Sequence, residues 1–263
     1  MTNQAKDQNP GQADLPKICK IGFADLREAL ARGVDDFNAF PTHVVFLSMI
    51  YPVVGLILGG LVFQLNVLPL LYPIVAGFAL VGPFAAIGLY EVSRCREQGA
   101  DVNWRHALGV VRSPSMGAIL ALGLALVAIF VAWLLAAKAI YTWTLGDVVP
   151  TSIGEFAQQI FNSPSGARLI IVGNAVGLLF ALVAFAISVV SFPLLVDRDV
   201  GPATAALTSV RAVLKNPLPM LAWGSFVAAS LALGSLPFLF GLAVIVPILG
   251  HSTWHLYRRV VKR

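Results

Sequence analysis

His251 and His255 stand four residues apart, so on a helix both imidazoles share one face, a spacing that suits metal binding. Glu91 and Arg94, three apart, could serve as a gate or as a proton-handling pair. Cys95 lies between Arg94 and Arg96, and two flanking cations would lower its thiol pKa. Each of these has a plainer reading. No carboxylate or cysteine lies close in sequence to complete a site around the histidine pair, and His, Trp and Tyr collect at membrane boundaries because they are amphipathic. A Glu91–Arg94 boundary ion pair is worth about 0–1 kcal/mol, and a lone cysteine makes a poor catalyst. The remaining histidines, His43 and His106, also fall at a boundary or in a loop, so no imidazole sits mid-membrane where a haem–copper centre would need axial ligands. HExxH, a mid-span aspartate pair, a P-loop and a dinucleotide fingerprint are all missing from the sequence. The expectation is therefore a protein that is no enzyme, with no cofactor, no metal and no catalytic residues.

The elements that would position these groups are hydrophobic. From Val67 to Tyr90 there is no charged residue, and at about 1.5 Å per residue such a helix crosses a hydrocarbon core of about 30 Å. Glu91, Arg94 and Arg96 follow at once, so a helix is expected to end near Tyr90. Over the whole chain 58% of residues are hydrophobic and only 12% charged, against about 25% charged in soluble domains. The mean hydropathy is +0.82. The fold class expected is all-α: a polytopic membrane protein of about six transmembrane helices. Their spans are 44–64, 67–90, 116–137, 169–196, 218–233 and 238–256 within a domain of residues 42–257. Pro73 and Pro83 should kink the second span and Pro193 should bend the end of the fourth. Gly55/Gly59 and Gly173/Gly177, with Asn174 beside the latter, allow close helix approach.

Sixteen of the eighteen lysines and arginines fall on one side if both termini are cytoplasmic, leaving only Lys138 and Arg168 on the other. That predicts a bacterial inner-membrane protein with a disordered tail over 1–20 and a basic tail over 258–263. It also makes a disulfide between Cys19 and Cys95 unexpected. Residues 21–41 read as an amphipathic helix with Phe23, Leu26, Leu30, Val34 and Phe37 on its apolar stripe. It lies either along the membrane or against other protein. Between the third and fourth spans, Ser152 and Glu155 form a capping box that starts a short helix bearing Ile153, Phe156 and Ile160 on one face.

A repeat links these pieces. Segments Ala29–Pro41, Ala107–Pro114 and Ala206–Pro217 each precede a pair of spans, giving three hairpins, each introduced by a cytoplasmic interfacial helix. Pro83 is followed by Tyr90, Glu91 and Arg94, and Pro247 by Trp254, His255 and Arg258, at identical offsets. Those six are the candidate functional boundary residues. The interfacial segments, with Arg105, Arg112, Arg211 and Lys215, would form a basic collar on anionic lipid.

The segments FLSMIYPVVGL, PLLYPIVAGFALVGPFAAIGLYEVSR, FPLLVDRDV and PILGHSTWHLYRR resemble a bacterial domain-of-unknown-function family of integral membrane proteins. Some of its members carry the label cytochrome c oxidase subunit I. The resemblance spans about Phe23 to Arg259 and implies a multi-pass inner-membrane protein without an established activity. It supplies no catalytic residues. The resulting reading is a structural or accessory component whose partners are membrane lipids and other membrane-protein subunits, with no nucleic acid. The label implies association with a respiratory complex. The alternative is a transporter or channel for an uncharged or lipid substrate. Ion-coupled transport fits poorly, because no charged residue lies within a span core, where the polar groups include Ser48, Gln64, Asn174, Ser188, Ser191 and tyrosines.

Overall fold

The computed structural model describes residues 15–39, 68–78, 82–100, 109–147, 150–236 and 239–262, with a few more between 53 and 62. The first expected span, His43, Arg105 and His106 fall wholly or largely outside the described residues. In chain order the helices are α1 (Phe23–Ala39), α2 (Leu71–Phe78), α3 (Gly82–Ala85), α4 (Ile87–Glu97), α5 (Met116–Leu145), α6 (Ile153–Phe161), α7 (Pro164–Ser188), α8 (Ser191–Asp197), α9 (Pro202–Lys215), α10 (Pro217–Ser235) and α11 (Leu242–Val260).

Among the described residues, three helical stretches are long and apolar enough to cross a membrane: α5, α7 with α8, and α10. Local chemistry accounts for where they start and stop. Ser163 caps α7 through a bond from the Gly166 amide, and Pro164 fills the first helical position, where its missing N–H costs nothing. Gly146, at φ +83°, ends α5 eight residues beyond the expected Ala137, so Lys138, Tyr141 and Trp143 lie within the helix. Ser152 caps α6 through the Glu155 amide, as the expected box requires, but the Glu155 carboxylate reaches one residue farther back, to the Thr151 amide at 2.7 Å and the Thr151 hydroxyl at 2.8 Å.

Elsewhere the proline positions redraw the expected spans. The stretch 67–90 is not one helix. Leu68–Leu70 form a 3₁₀ turn ahead of α2, and a turn at Ala86 separates α3 from α4. Pro73 sits in the first turn of α2, where it starts a helix rather than kinking one. Nor does a helix end near Tyr90: α4 runs on to Glu97 and closes on Gly99, at φ +73°, whose amide bonds Arg96 O while Ala100 N bonds Cys95 O. The fourth expected span breaks between α7 and α8 at Val189 and Val190, one turn before Pro193. The proline ring displaces the carbonyl four residues back, and the freed Val190 amide donates to Ser209 Oγ of α9 at 3.1 Å.

The densest packing lies at the basic end, where α4, α8 and α11 converge. There Tyr90, Phe192, Leu194, Leu195, Trp254 and Tyr257 are essentially inaccessible. Helix α1 lies along α11, with Leu26, Ala29, Gly33 and Asp36 facing inward while Phe23 points outward. Gly33 is required at that crossing, because a Cβ there would come within 2.5 Å of the Ser252 amide nitrogen. Residues 15–20, expected to be tail, form a strap instead. Ile18 bridges Val261, Cys19 N donates to Val260 O at 2.7 Å, and Lys262 N donates to Lys17 O at 2.9 Å. Farther along the spans, Trp133 of α5 packs on Gly177 of α7 and donates to Pro73 O at 3.0 Å, whereas Gly173 faces open space.

Candidate functional site

Asp36 is the centre of a buried polar cluster drawn from three helices. Ser93 of α4 donates to Asp36 Oδ2 at 2.6 Å, and Arg96 donates to Asp36 Oδ1 at 2.5 Å. From α11, His255 Nε2 lies 2.9 Å from Asp36 Oδ2, and His251 Nδ1 lies 2.8 Å from Ser93 Oγ. Ser93 has one proton, and giving it to the carboxylate leaves its oxygen to accept from His251. The chain therefore runs His251 Nδ1–H to Ser93 O–H to Asp36, which fixes the His251 tautomer with its lone pair on Nε2. Burial alone would raise the Asp36 pKa, but hydrogen bonds from His255 and Ser93 outweigh it and hold the carboxyl below its ordinary range.

A second cluster surrounds Arg258, which joins all three converging helices. Its guanidinium reaches Glu97 of α4 at 3.1 Å and Asp197 of α8 at 3.1 Å. Tyr257 donates to the same Asp197 oxygen at 2.6 Å, and Trp254 Nε1 donates to Glu97 at 3.2 Å. Burial, and then the Asp197 carboxylate, push the Tyr257 hydroxyl pKa up, so it remains a donor. Arg258 also stacks over the Trp254 ring at 5.9 Å.

Glu91 and Arg94 form the third group, a two-pronged pair with bonds of 2.7 and 2.6 Å. Glu91 is buried, so the pair is more constrained than a boundary ion pair on a wet surface. Cys95 donates to Glu91 at 3.4 Å, and burial followed by the Glu91 charge raises its thiol pKa. The expectation that the flanking arginines would lower it is overturned. Arg94 is taken by Glu91 and Arg96 by Asp36, so the carboxylate dominates at the sulfur.

A cleft of about 290 Å³ opens beside these groups, lined by Glu91, Arg94, Arg112, Asp197, Arg198 and Asp199 among others. A second of about 420 Å³ lies between Arg94, Glu97, Arg198, Trp254 and Arg258. Both carry acids and bases in near balance. His251 and His255 share a helix face as their spacing requires, yet the first turns to Ser93 and the second to Asp36. Among the described residues no group of three or more His, Cys, Asp or Glu is placed to hold a metal ion.

Of the six boundary candidates, Tyr90 and Trp254 are both buried aromatics at the convergence. Arg94 and Arg258 are ion-paired, Glu91 belongs with Arg94, and His255 belongs to Asp36. Sequence reasoning missed Asp36, Ser93, Glu97, Asp197 and Tyr257. A signal for Asp36 exists: Leu26, Ala29, Gly33 and Asp36 recur at helical spacing, a small-residue stripe that ends in an acid.

With a membrane-sized set of helices and a paired polar head in view, the chain can be compared with known proteins. It matches a family described as Predicted integral membrane protein (DUF2189) over residues 71–197. The match takes in α2 to α8, including Glu91, Ser93, Arg94, Arg96, Glu97 and Asp197, and stops short of α1 and α9 to α11. The DUF2189 description names no activity and no oxidase. No curated protein and no solved structure matches the chain.

Proposed function

We propose that the protein is a non-enzymatic structural or accessory component of the bacterial inner membrane, with its basic end and both termini cytoplasmic. Three hairpins supply six spans, and the head formed by α1, α4, α8 and α11 presents a rigid surface to other membrane-protein subunits. The observation that carries this reading is the internal pairing of the head. Asp36, Glu91, Glu97 and Asp197 each hold a basic partner on the protein itself, which leaves a fixed scaffold in place of a reactive centre. Helices such as α10, of whose most apolar stretch only 17% is buried, supply surface for lipid or for neighbouring subunits.

Purification in mild detergent followed by mass spectrometry tests the proposal. A stoichiometric membrane partner supports it, and subunits of a respiratory complex would extend it to that assembly. A lone protein retaining an uncharged or lipid ligand would replace it with the transport reading. The orientation has its own test: a cysteine placed at Ser152 should be labelled in intact cells and one at Ser113 should not. The opposite pattern inverts the topology.

A further inference from the structure

The cations at the basic end fall into two groups. Arg32, Arg94, Arg96, Arg198, Arg258 and Arg259 each meet a carboxylate. Lys17, Lys20, Arg211 and Lys262 are exposed, and no carboxylate pairs with them among the described residues. Arg27 and Arg112 are likewise exposed with no carboxylate partner among the described residues, but the first four gather in one place. The strap carries Lys17 and Lys20 and pairs with Lys262 through the Lys17 carbonyl. Lys215 Nζ donates to Ile18 O at 2.7 Å, while the Asn216 side chain accepts from Ile21 N at 2.9 Å and donates to Cys19 O at 3.0 Å. These bonds set the strap against the elbow where α9 ends and α10 begins. Arg211 lies one turn before Lys215 on the same face of α9.

The apolar side chains at this elbow are exposed too: Phe23 is 63% accessible, Leu214 73% and Leu218 70%. Helix α9 contains no acid. The first carboxylate along the chain after the strap, Asp25, is engaged by the Gly22 amide and by Arg259. Helix α10, which starts at this elbow, is one of the three stretches able to cross a membrane. A surface with unneutralised cations above exposed leucines and a phenylalanine, at the mouth of a span, complements one kind of occupant: an anionic headgroup with acyl chains attached.

We infer that the strap and the α9–α10 elbow form a binding site for an anionic phospholipid, its phosphate among Lys17, Lys20, Arg211 and Lys215 and its chains against Leu214, Leu218 and Phe23. This assigns lipid binding to one sector of the basic collar expected from sequence, since the arginines of the converging helices are neutralised internally. The inference does not depend on the accessory role proposed above.

The test is titration of the full-length protein in neutral detergent with phosphatidylglycerol, read by native mass spectrometry and by the thermal midpoint. Phosphatidylcholine and inorganic phosphate serve as parallel arms. Phosphatidylglycerol should bind and raise the midpoint, whereas the other two should not. Lys17→Gln with Lys20→Gln and Arg211→Gln should weaken phosphatidylglycerol on the order of a hundredfold, each cation contributing about fivefold near an anionic surface. Lys215 is left in place because its ammonium holds the strap. Arg112→Gln with Arg168→Gln, which removes two cations away from the elbow, should leave binding unchanged. Equal binding of phosphatidylcholine, full replacement by phosphate, or undiminished binding by the triple variant would each overturn the site.

Discussion

At the basic end, Phe192, Leu194, Leu195 and Trp254 are fully buried. Along α5 and α10, Leu124, Leu135 and Leu233 are about two-thirds exposed, and only 28% and 17% of those helices' most apolar stretches is buried. The two regions are held by different physics. Lipid is as apolar as leucine, so the spans gain little by covering such side chains and need few close contacts. In the head, polar groups must leave water, and each survives burial only by finding a partner. Position in the head is thus specified by pairs such as Asp36 with Arg96. The spans are specified mainly by length and apolarity.

The contrast makes its sharpest prediction at Trp254. Trp254→Ala should destabilise the head by about 3–5 kcal/mol, since it opens a cavity and strips a donor from Glu97. Proteolysis of solubilised protein should register this as early cleavage around α1 and α11. Asp36→Ala comes next at about 3 kcal/mol, for it leaves Ser93 and Arg96 without their acceptor. Asp36→Asn should cost less because it keeps hydrogen-bonding capacity. The sign with pH follows from the carboxyl's position. Its folded pKa lies below the ordinary 3.8, so the stabilisation is complete above that value and is lost as pH falls through the folded pKa. The gap in thermal midpoint between the parent and Asp36→Asn, which isolates the carboxyl, should be constant near neutrality and shrink only in acid.

Gly33→Ala is a smaller perturbation of the same contact. Its Cβ would press on the Ser252 backbone and cost about 1–3 kcal/mol, with α1 becoming protease-sensitive before any span does. At the bottom of the scale, Leu124→Ala on the outward face of α5 should move stability by no more than about 0.5 kcal/mol. If Leu124→Ala proved as damaging as Trp254→Ala, that outward face would be an interface, and the division between head and spans would fail.

Sequence reading saw most clearly where the physics is local. The apolar runs of α5, α7 and α10 needed only composition and length, and the Ser152–Glu155 cap needed only spacing. The α1 stripe shows why the rest was harder to read. Hydropathy singles out Phe23 and Phe37, yet the closest contact uses Ala29 and Gly33, because two helices approach through what is small. The break before Pro193 depends on a carbonyl one turn back and on Ser209 from another helix. Asp36 beside Asp35 looks like a solvated acidic edge. Its partner His255 lies 219 residues away, and no local spacing encodes that meeting. For the same reason, the arginines around Cys95 misled: they serve Glu91 and Asp36 in three dimensions.

That separation sets a timetable for synthesis. Helix α1 leaves the ribosome early, but the helix that covers it is made more than two hundred residues later. At about 5–20 residues per second the wait is about 10–40 s. Throughout that interval Leu26, Ala29 and Gly33 face no α11, and Asp36 has neither histidine. A chain stopped before α11 keeps those groups exposed permanently. Closure of α1 onto α11 therefore distinguishes finished chains from interrupted ones, and a protease that reads exposed helix α1 would remove the latter.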